Sequence, residues 1–308
     1  MKTVFMIDGG AGRALAAIPA LLKYNKSNPN FQIIVHGWDN LFWGIPELHD
    51  KVFNPDQKGA FDQFFMDADK VLSPEPYRVP GYYKQEKSLA EAFDYLINET
   101  DDHSDLSLPV IKTNKNEELQ AANFIRETKQ QQQKQKTIVI QPFGRSMEKP
   151  QEKVILDQSS RSINPDTYLK LVKKLSAKYN LILFAEKNFW IEEDTYTMKP
   201  EADLRMWSAF IDASDYFIGC DSVGQHMARA LNKPGTVIIG STFPINTSYP
   251  NYFNIIEKDV PKVYSPIRIS GLESHLADRV NEITVEFTDE EINGIYASIV
   301  KDIEKKVK

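Results

Sequence analysis

The sequence is poor in the residues that mark several classes of protein. It has one cysteine among 308 residues, Cys220, so an intramolecular disulfide is excluded and a reducing compartment is favoured. Cys220 adjoins an aspartate at the end of an apolar strand, which favours a buried thiol over a nucleophile.

No stretch approaches the roughly 18 consecutive apolar residues of a membrane span. Asp8 and Arg13 interrupt the apolar N-terminus, which therefore predicts a strand, a turn and a helix rather than a signal peptide. We expect a cytoplasmic protein without an integral membrane segment.

The chain also has fewer basic than acidic residues. Lysine and arginine number 37 against 43 aspartates and glutamates, which gives a net charge of −6. This balance argues against a general binder of nucleic acid or anionic membranes, because such proteins neutralise phosphates with an excess of cations. A local basic groove stays open as an alternative.

Motifs of three familiar chemistries are missing. No histidine or cysteine cluster has metal-ligand spacing, and the pattern Asp67-Ala68-Asp69 arises easily by chance in an acidic chain. There is no G-x-S-x-G elbow of a serine hydrolase. The glycines at 9, 10 and 12 depart from the G-x-G-x-x-G pattern of dinucleotide sites. We therefore predict no metal and no cofactor.

The N-terminal half begins with a β-α-β pattern. Residues 3–7 predict a strand, residues 8–12 a turn, and the apolar spacing up to residue 22 a helix, with a second strand at 31–35. This spacing indicates a parallel, right-handed unit. Weaker elements follow up to a helix predicted at 117–128.

The second half repeats this pattern after the polar low-complexity stretch 129–136. Strands are predicted at 137–141 and 181–184, and helices at 165–177 and 204–213. We predict an α/β fold of two Rossmann-like domains facing a central cleft, at 1–133 and 134–285. A C-terminal amphipathic helix is expected over 286–308, opened by a capping box of Thr288 and Glu291.

The most informative segment covers residues 218–244. An apolar strand ends at Asp221-Ser222, a helix with an apolar stripe follows, Pro234 lies just beyond its end, and a second strand leads to Gly240-Ser241-Thr242. The free N–H groups and dipole of such a helix bind anions, and Gly224 is expected to let an anion approach closely. The alternative is an ordinary strand-to-helix turn in which Ser222 only caps the helix.

Three stretches together carry a resemblance to a known family. They are the pattern D-S-x-G-x-H-x-A at 221–228 with Pro234 and 240–242, the helix and strand at 203–219 that lead into it, and the turn and helix at 12–21. The chain resembles the GT-B glycosyltransferases, in particular the lipopolysaccharide heptosyltransferase-like family. The first stretch looks like that family's donor-diphosphate signature.

The resemblance implies an inverting, metal-independent glycosyltransferase. The donor would be a nucleoside-diphosphate sugar, and the acceptor a hydroxyl of a surface glycan, lipopolysaccharide or lipid-linked glycan. The residues expected at the donor diphosphate are Ser222, Val223, Gly224, Gln225, Arg161 and Thr242, with Arg145-Ser146 as a second candidate pair. Those expected at the donor nucleoside are Glu186 and Asp221. His226 is expected to orient the loop rather than to react.

The catalytic base is the point of departure from the family. Relatives carry Gly-Asp where this chain has Gly12-Arg13, and arginine does not act as a base. We rank Asp8 first and Asp39 second as the base, although an Asp before Gly-Gly also serves turns without chemistry. The residues expected on the acceptor side are Gly10, Gly12, Arg13, His36 and Trp38.

Two other functions stay open. A virus-type transferase acting on a hydroxylated DNA base would need a basic groove, for which the candidates are Lys23, Lys26, Lys84, Lys87 and the lysines of 129–136. A non-catalytic nucleotide- or glycan-binding protein would explain Arg13 at the position of the base.

Overall fold

The structure is a computed structural model that describes residues 1–144, 147–151, 154–157, 160–184, 196–198, 204–260 and 285–307. The chain divides into two compact units, Met1–Asn114 and Lys115–Lys308. No helix within the described ranges has the length and hydropathy that crossing a membrane requires.

The first unit is built on a parallel sheet with the strand order β3-β2-β1-β4. Its strands are β1 (Thr3–Ile7), β2 (Phe31–Val35), β3 (Val52–Phe53) and β4 (Lys70–Leu72). Its α-helices are α1 (Ala11–Ser27), α2 (Pro80–Tyr83) and α3 (Leu89–Asn98), with a 3-10 turn at Asp39–Phe42 and another at Pro76–Arg78. The predicted β-α-β unit at the N-terminus is confirmed. Its apolar runs bury Phe5, Leu15 and Ile18 completely, which fixes α1 on the sheet.

The second unit holds a six-stranded parallel sheet in the order β12-β11-β10-β5-β8-β9. Its strands are β5 (Thr137–Gln141), β8 (Asn180–Phe184), β9 (Tyr196–Met198), β10 (Tyr216–Gly219), β11 (Gly235–Ile239) and β12 (Asn254–Glu257). Strands β6 (Met147–Gln151) and β7 (Val154–Asp157) form a separate antiparallel pair. The helices are α4 (Lys115–Gln132), α5 (Pro165–Ser176), α6 (Leu204–Ala213), α7 (Val223–Ala230), α8 (Pro244–Thr247) and α9 (Asp289–Lys306).

This strand order places a switch in direction at the centre of the second sheet. The chain runs outward from β5 through β8 to β9, then returns to the other side of β5 and continues outward through β10, β11 and β12. Loops that leave β5 and β10 therefore diverge, and the space between their carboxyl ends is where open α/β sheets bind ligands. Gly219 pairs with Gln141 in the register of these two strands, so both loops begin at the same edge of the sheet.

Helix α9 confirms the clearest local prediction. The Thr288 hydroxyl accepts a hydrogen bond from the Glu291 N–H at 3.3 Å, and the Glu291 carboxylate accepts one from the Thr288 N–H at 2.7 Å. Four isoleucines at helical spacing, Ile292, Ile295, Ile299 and Ile303, are buried. The capping box starts the helix and the apolar face docks it on the second unit.

Helix α4 groups with the second unit, whereas the predicted first domain extended to residue 133. Its Glu117 carboxylate forms a buried two-bond ion pair with Arg205 of α6, at 2.8 and 2.9 Å. Thr128 accepts a hydrogen bond from Asn180 of β8 at 2.9 Å. These polar contacts anchor the helix, and the start of the low-complexity stretch, residues 129–132, forms its last turn.

Candidate functional site

The candidate site lies where β5 and β10 end side by side in the second sheet. After β10, the chain passes through Cys220, Asp221 and Ser222 before α7 begins at Val223. The Cys220 N–H donates to the Gln141 carbonyl at 3.1 Å, which continues the pairing of the two strands by one residue. The first turn of α7 is therefore held directly above the end of β5.

Gln141 connects this turn to β5 through its side chain. The side-chain Nε2 donates to Ser222 Oγ at 3.0 Å, and Oε1 accepts from the Gly224 N–H at 2.8 Å. The residue is 3% exposed. Sequence reasoning missed this role, although a polar residue closing the apolar run TIVI was a signal that the side chain needs buried partners.

Gly224 is required by close packing inside the unit. A β-carbon at this position would overlap Gln141 Oε1 and lie 2.8 Å from the ring of Phe217. The backbone N–H of Gly224 is already engaged by Gln141. Packing therefore gives a reason for this glycine beside the predicted one, and its N–H is occupied by Gln141.

Ser222 occupies the N-cap position of α7 without capping it. Its side chain makes no cap hydrogen bond, and its hydroxyl accepts from Gln141. The alternative in which Ser222 serves only as a helix cap is therefore wrong. Among the described residues, no hydrogen bond engages the Val223 N–H, so the N-terminus of α7 keeps a donor.

Asp221 is buried beside this serine and is fixed by one of its two oxygens. Its Oδ1 accepts from Gln225 Nε2 at 2.7 Å, and the side-chain Oε1 of Gln225 in turn accepts from the Ser248 hydroxyl. Its Oδ2 lies 3.9 Å from Arg161 Nη1 and has no hydrogen-bond partner among the described residues. Gln225 is completely buried, so it orders Asp221 from inside the unit.

Arg161 supplies the positive charge of the site. The Asp157 carboxylate accepts hydrogen bonds from the backbone N–H groups of Arg161 and Ser162, at 3.1 and 2.8 Å, which shapes the loop before α5. The Arg161 side chain is about one third exposed, at 34%, while Asp221 is buried. Arg161, Asp221 and Ser222, which are predicted at one donor site, lie together at the strand ends.

Thr242 follows the neighbouring strand β11 and is also buried. Its hydroxyl has no hydrogen-bond partner in the part of the chain that the structure describes. A buried hydroxyl without a partner costs free energy, of the order of 1–3 kcal/mol, unless a ligand or water satisfies it. This observation fits its predicted place at a polar ligand.

His226 and Cys220 line the interior of the same turn. The His226 Nδ1 lies 2.8 Å from the Tyr249 hydroxyl, and burial lowers the pKa of His226 to about 4, with a further lowering by Arg161 that Asp221 opposes. The imidazole is therefore neutral near pH 7, in keeping with an orienting role. Burial also raises the pKa of the Cys220 thiol far above its ordinary value, so this cysteine is a poor nucleophile.

In the first unit, Arg13 is committed to an internal ion pair. Its Nη1 lies 2.9 and 3.2 Å from the two carboxylate oxygens of Glu75, and the guanidinium lies 4.7 Å from the centre of the Tyr77 ring. Burial opposes the charge, but Tyr77, Glu75 and Asp8 outweigh it and the pKa of Arg13 is raised. Its predicted contact with an acceptor finds no support in this geometry.

The remaining predicted residues of this unit lie at or near the turn between β1 and α1. Asp8 is exposed, and its Oδ1 accepts from the Gly9 N–H at 2.6 Å. Trp38 donates from its indole nitrogen to the Gly9 carbonyl at 3.0 Å. Gly10 is the N-cap residue of α1, and Gly12 lies in its first turn.

Two predicted residues follow β2 instead. Asp39 lies in the first turn of the 3-10 segment Asp39–Phe42, and exposed His36 has its Nε2 3.4 Å from a carboxylate oxygen of Asp56. The predicted residues Glu186, Arg145 and Ser146 lie outside the described residues. Within the described ranges, no group of three or more histidine, cysteine, aspartate or glutamate side chains is placed to hold a metal ion.

Comparison with known proteins defines the fold. No family model matches the chain, and no curated protein matches it by sequence. The structure is similar to the glycosyl transferase family 9 protein of Veillonella parvula DSM 2008, with a TM-score of 0.64, 10% identity, and coverage of 99% of this chain and 98% of that one.

Two proteins of E. coli are similar over the same length. ADP-heptose lipopolysaccharide heptosyltransferase II matches with a TM-score of 0.62 and 14% identity, covering 98% of this chain and 99% of that one. Heptosyltransferase WaaC with ADP matches with a TM-score of 0.55 and 12% identity, covering 99% of each chain. The chain therefore has the GT-B fold of the heptosyltransferases, as predicted.

Proposed function

We propose that this protein is an inverting glycosyltransferase that moves a sugar from a nucleoside-diphosphate donor to a hydroxyl acceptor in the cytoplasm without a metal ion. The second unit binds the donor and the first binds the acceptor. The observation that carries this proposal is the polar turn above the switch point of the second sheet, where Arg161, Ser222 and the N-terminus of α7 converge in a chain with the GT-B fold.

The chemistry of this turn suits a diphosphate leaving group. When the bond from the sugar to the diphosphate breaks, negative charge grows on the phosphate oxygens, and groups fixed beforehand stabilise it best. Arg161 offers a cation, Val223 a backbone N–H, and Ser222 and Thr242 hydroxyls. We assign Asp221, together with Glu186, to hydroxyls of the donor nucleoside, since carboxylates accept hydrogen bonds there.

The acceptor hydroxyl needs a base on the side opposite the departing diphosphate. Asp8 is our first choice because its carboxylate is exposed at the end of β1, next to the N-terminus of α1. Arg13 and Asp8 also attract each other electrostatically, so the proposed base lies in the field of a buried cation. Asp39 is the second choice.

A DNA base is the less favoured acceptor, because lysines that a basic groove requires are engaged inside their own units. Lys23 pairs with Asp94 and Asp105, at 3.1 and 2.6 Å. Lys129 lies 3.4 Å from Asp215. We propose a surface or lipid-linked glycan as the acceptor.

The first test is nucleotide binding by the unaltered protein. We expect at least one of ADP, UDP, GDP and dTDP to raise the unfolding temperature, and ADP-heptose is the first donor to try because two similar structures are named for heptosyl transfer. Arg161→Met should weaken binding about 10- to 100-fold, the loss of one charge-assisted contact. Lys170→Met, on the exposed face of α5, is the matched control and should bind normally. Turnover should survive EDTA. No binding of any of these ligands would contradict the proposal.

A second candidate is a nucleotide-binding protein that has lost turnover. The observation that favours it is the buried Arg13–Glu75 pair at the position where the resemblance places the base. Binding of a nucleotide sugar without transfer to any glycan acceptor, and without slow hydrolysis, would select this function over the first.

A further inference from the structure

We infer that Gln141 is a positioning residue whose neutral amide turns the Ser222 hydroxyl toward the donor diphosphate. The inference rests on the proposed function, because it concerns the same donor site. Gln141 does not need to touch the donor, and acts through Ser222.

The orientation of the Gln141 amide follows from its partners. The Gly224 backbone N–H is a donor only, so the atom 2.8 Å away from it must be the amide oxygen. The amide nitrogen then faces Ser222 Oγ at 3.0 Å and the Phe143 carbonyl at 3.4 Å. Every polar atom of this buried side chain has a partner that fits it.

The direction of the bond to Ser222 decides what that hydroxyl offers. A hydroxyl has one hydrogen to donate and two lone pairs that accept. Ser222 accepts from Gln141, and among the described residues no group accepts a hydrogen bond from its hydroxyl, so its hydrogen is left to donate. With Arg161 nearby, a phosphate oxygen is the acceptor that this hydrogen fits.

A glutamate at 141 would reverse this arrangement while keeping the shape. Its carboxylate would still accept from the Gly224 N–H, but it would also take the Ser222 hydrogen and add a negative charge beside the diphosphate. The amide is therefore more than a spacer between β5 and α7, because only a neutral group with both a donor and an acceptor meets both partners.

The test compares Gln141→Glu and Gln141→Met with Gln120→Glu, which adds the same charge at an exposed position of α4. Affinity is measured by calorimetry for the nucleoside diphosphate that binds the unaltered protein most tightly, and for its nucleoside. We expect Gln141→Glu to weaken diphosphate binding about 10- to 100-fold, as for a lost hydrogen bond to a charged group. The nucleoside should change by less than about threefold, and Gln120→Glu should change neither. Adding Ser222→Ala to Gln141→Glu should cause little further loss, since both act on one hydrogen bond.

A ligand-free measurement tests the connection itself. The Gly224 amide should lose protection from hydrogen exchange in Gln141→Met, and keep it in Gln141→Glu, because only the latter still offers an acceptor. This reading holds even where a variant binds no nucleotide. Equal protection in both variants and the unaltered protein would overturn the inference.

The binding outcomes separate this inference from the proposed function. Unchanged diphosphate affinity in Gln141→Glu, or an equal loss for diphosphate and nucleoside, would overturn the role of Gln141 alone. Failure of the unaltered protein to bind any nucleotide would overturn the proposed function and this role with it.

Discussion

Two strand-to-helix turns, β1 to α1 in the first unit and β10 to α7 in the second, are stabilised by different means. The turn from β1 to α1 lies against a charged pair, Arg13 with Glu75, and a β-carbon on Gly9 would lie 2.7 Å from the Arg13 side chain. The turn from β10 to α7 is held by the neutral amides of Gln141 and Gln225. The two turns differ in what they leave for a ligand.

The two turns differ in how their arginines are engaged. The guanidinium of Arg13 forms an ion pair with Glu75 and lies over the Tyr77 ring. In the second unit, the amides of Gln141 and Gln225 hold the backbone, and Arg161 in the neighbouring loop lies 3.9 Å from Asp221 with its side chain about one third exposed. The second turn therefore suits the anion proposed there, whereas the base proposed at the first turn is Asp8 rather than Arg13.

The largest effect is expected at Asp8. If replacing Asp8 had no effect, the proposed chemistry at the first turn would be wrong. Asp8→Asn removes the proposed base and should lower kcat about 100- to 10,000-fold, because general-base catalysis contributes that much. Donor affinity should stay unchanged, since Asp8 belongs to the first unit. Steady-state kinetics with a saturating nucleotide sugar would measure this.

Asp39→Asn is the matched variant for Asp8→Asn. It should lower kcat less than tenfold if Asp8 is the base. The reverse ranking would move the base to Asp39, and full activity in both variants would refute a carboxylate base at either position.

The charged pair of the first unit should be costly to break. Glu75→Leu leaves the Arg13 cation buried without its partner and should reduce the free energy of unfolding by about 3–5 kcal/mol. The double variant Arg13→Met with Glu75→Leu should lose less, because the buried charge is gone. Urea unfolding measures both. A single variant within about 1 kcal/mol of the unaltered protein would show that the pair does not hold this turn.

Acid should affect the second unit through His226. Its pKa lies near 4 in the folded protein against an ordinary value of 6.5, so the unfolded chain binds the proton more tightly. Stability is therefore complete above pH 6.5 and falls as the pH drops toward 4, by about 3 kcal/mol in total. His226→Gln should flatten this part of the stability curve. An unchanged dependence of stability on pH in His226→Gln would contradict the assignment.

Local signals explain how much of this molecule was predictable. Strands β1, β5 and β10 are apolar runs, and α9 carries both a capping box and an apolar stripe, so each is specified by neighbouring residues. Arg161, Asp221 and Ser222, the residues proposed at the donor, were predicted from a motif and its family resemblance, and they lie close together at the strand ends.

The contacts that sequence reasoning missed join residues far apart in the chain. Gln141 and Gly224 are separated by 83 residues, Arg13 and Glu75 by 62, and Glu117 and Arg205 by 88. Periodicity and caps report on the nearest few residues, and a buried polar pair leaves no such trace. Arg13 was therefore assigned to an acceptor, and α4 to the first domain, because their partners were not visible.

The smallest predicted effect sharpens the comparison at the glycines of the two turns. A β-carbon on Gly224 would overlap Gln141 and the Phe217 ring, so Gly224→Ala should cost about 1–3 kcal/mol of stability and weaken diphosphate binding with it. Gly10, the N-cap of α1, has open space and a negative φ, so Gly10→Ala should cost less than about 1 kcal/mol, the difference between glycine and alanine as an N-cap. Urea unfolding and calorimetry would measure both variants. Equal losses at the two positions would mean that the turn from β10 to α7 is no more tightly packed than the turn from β1 to α1. Contact with Gln141 would then not be the reason for a glycine at position 224.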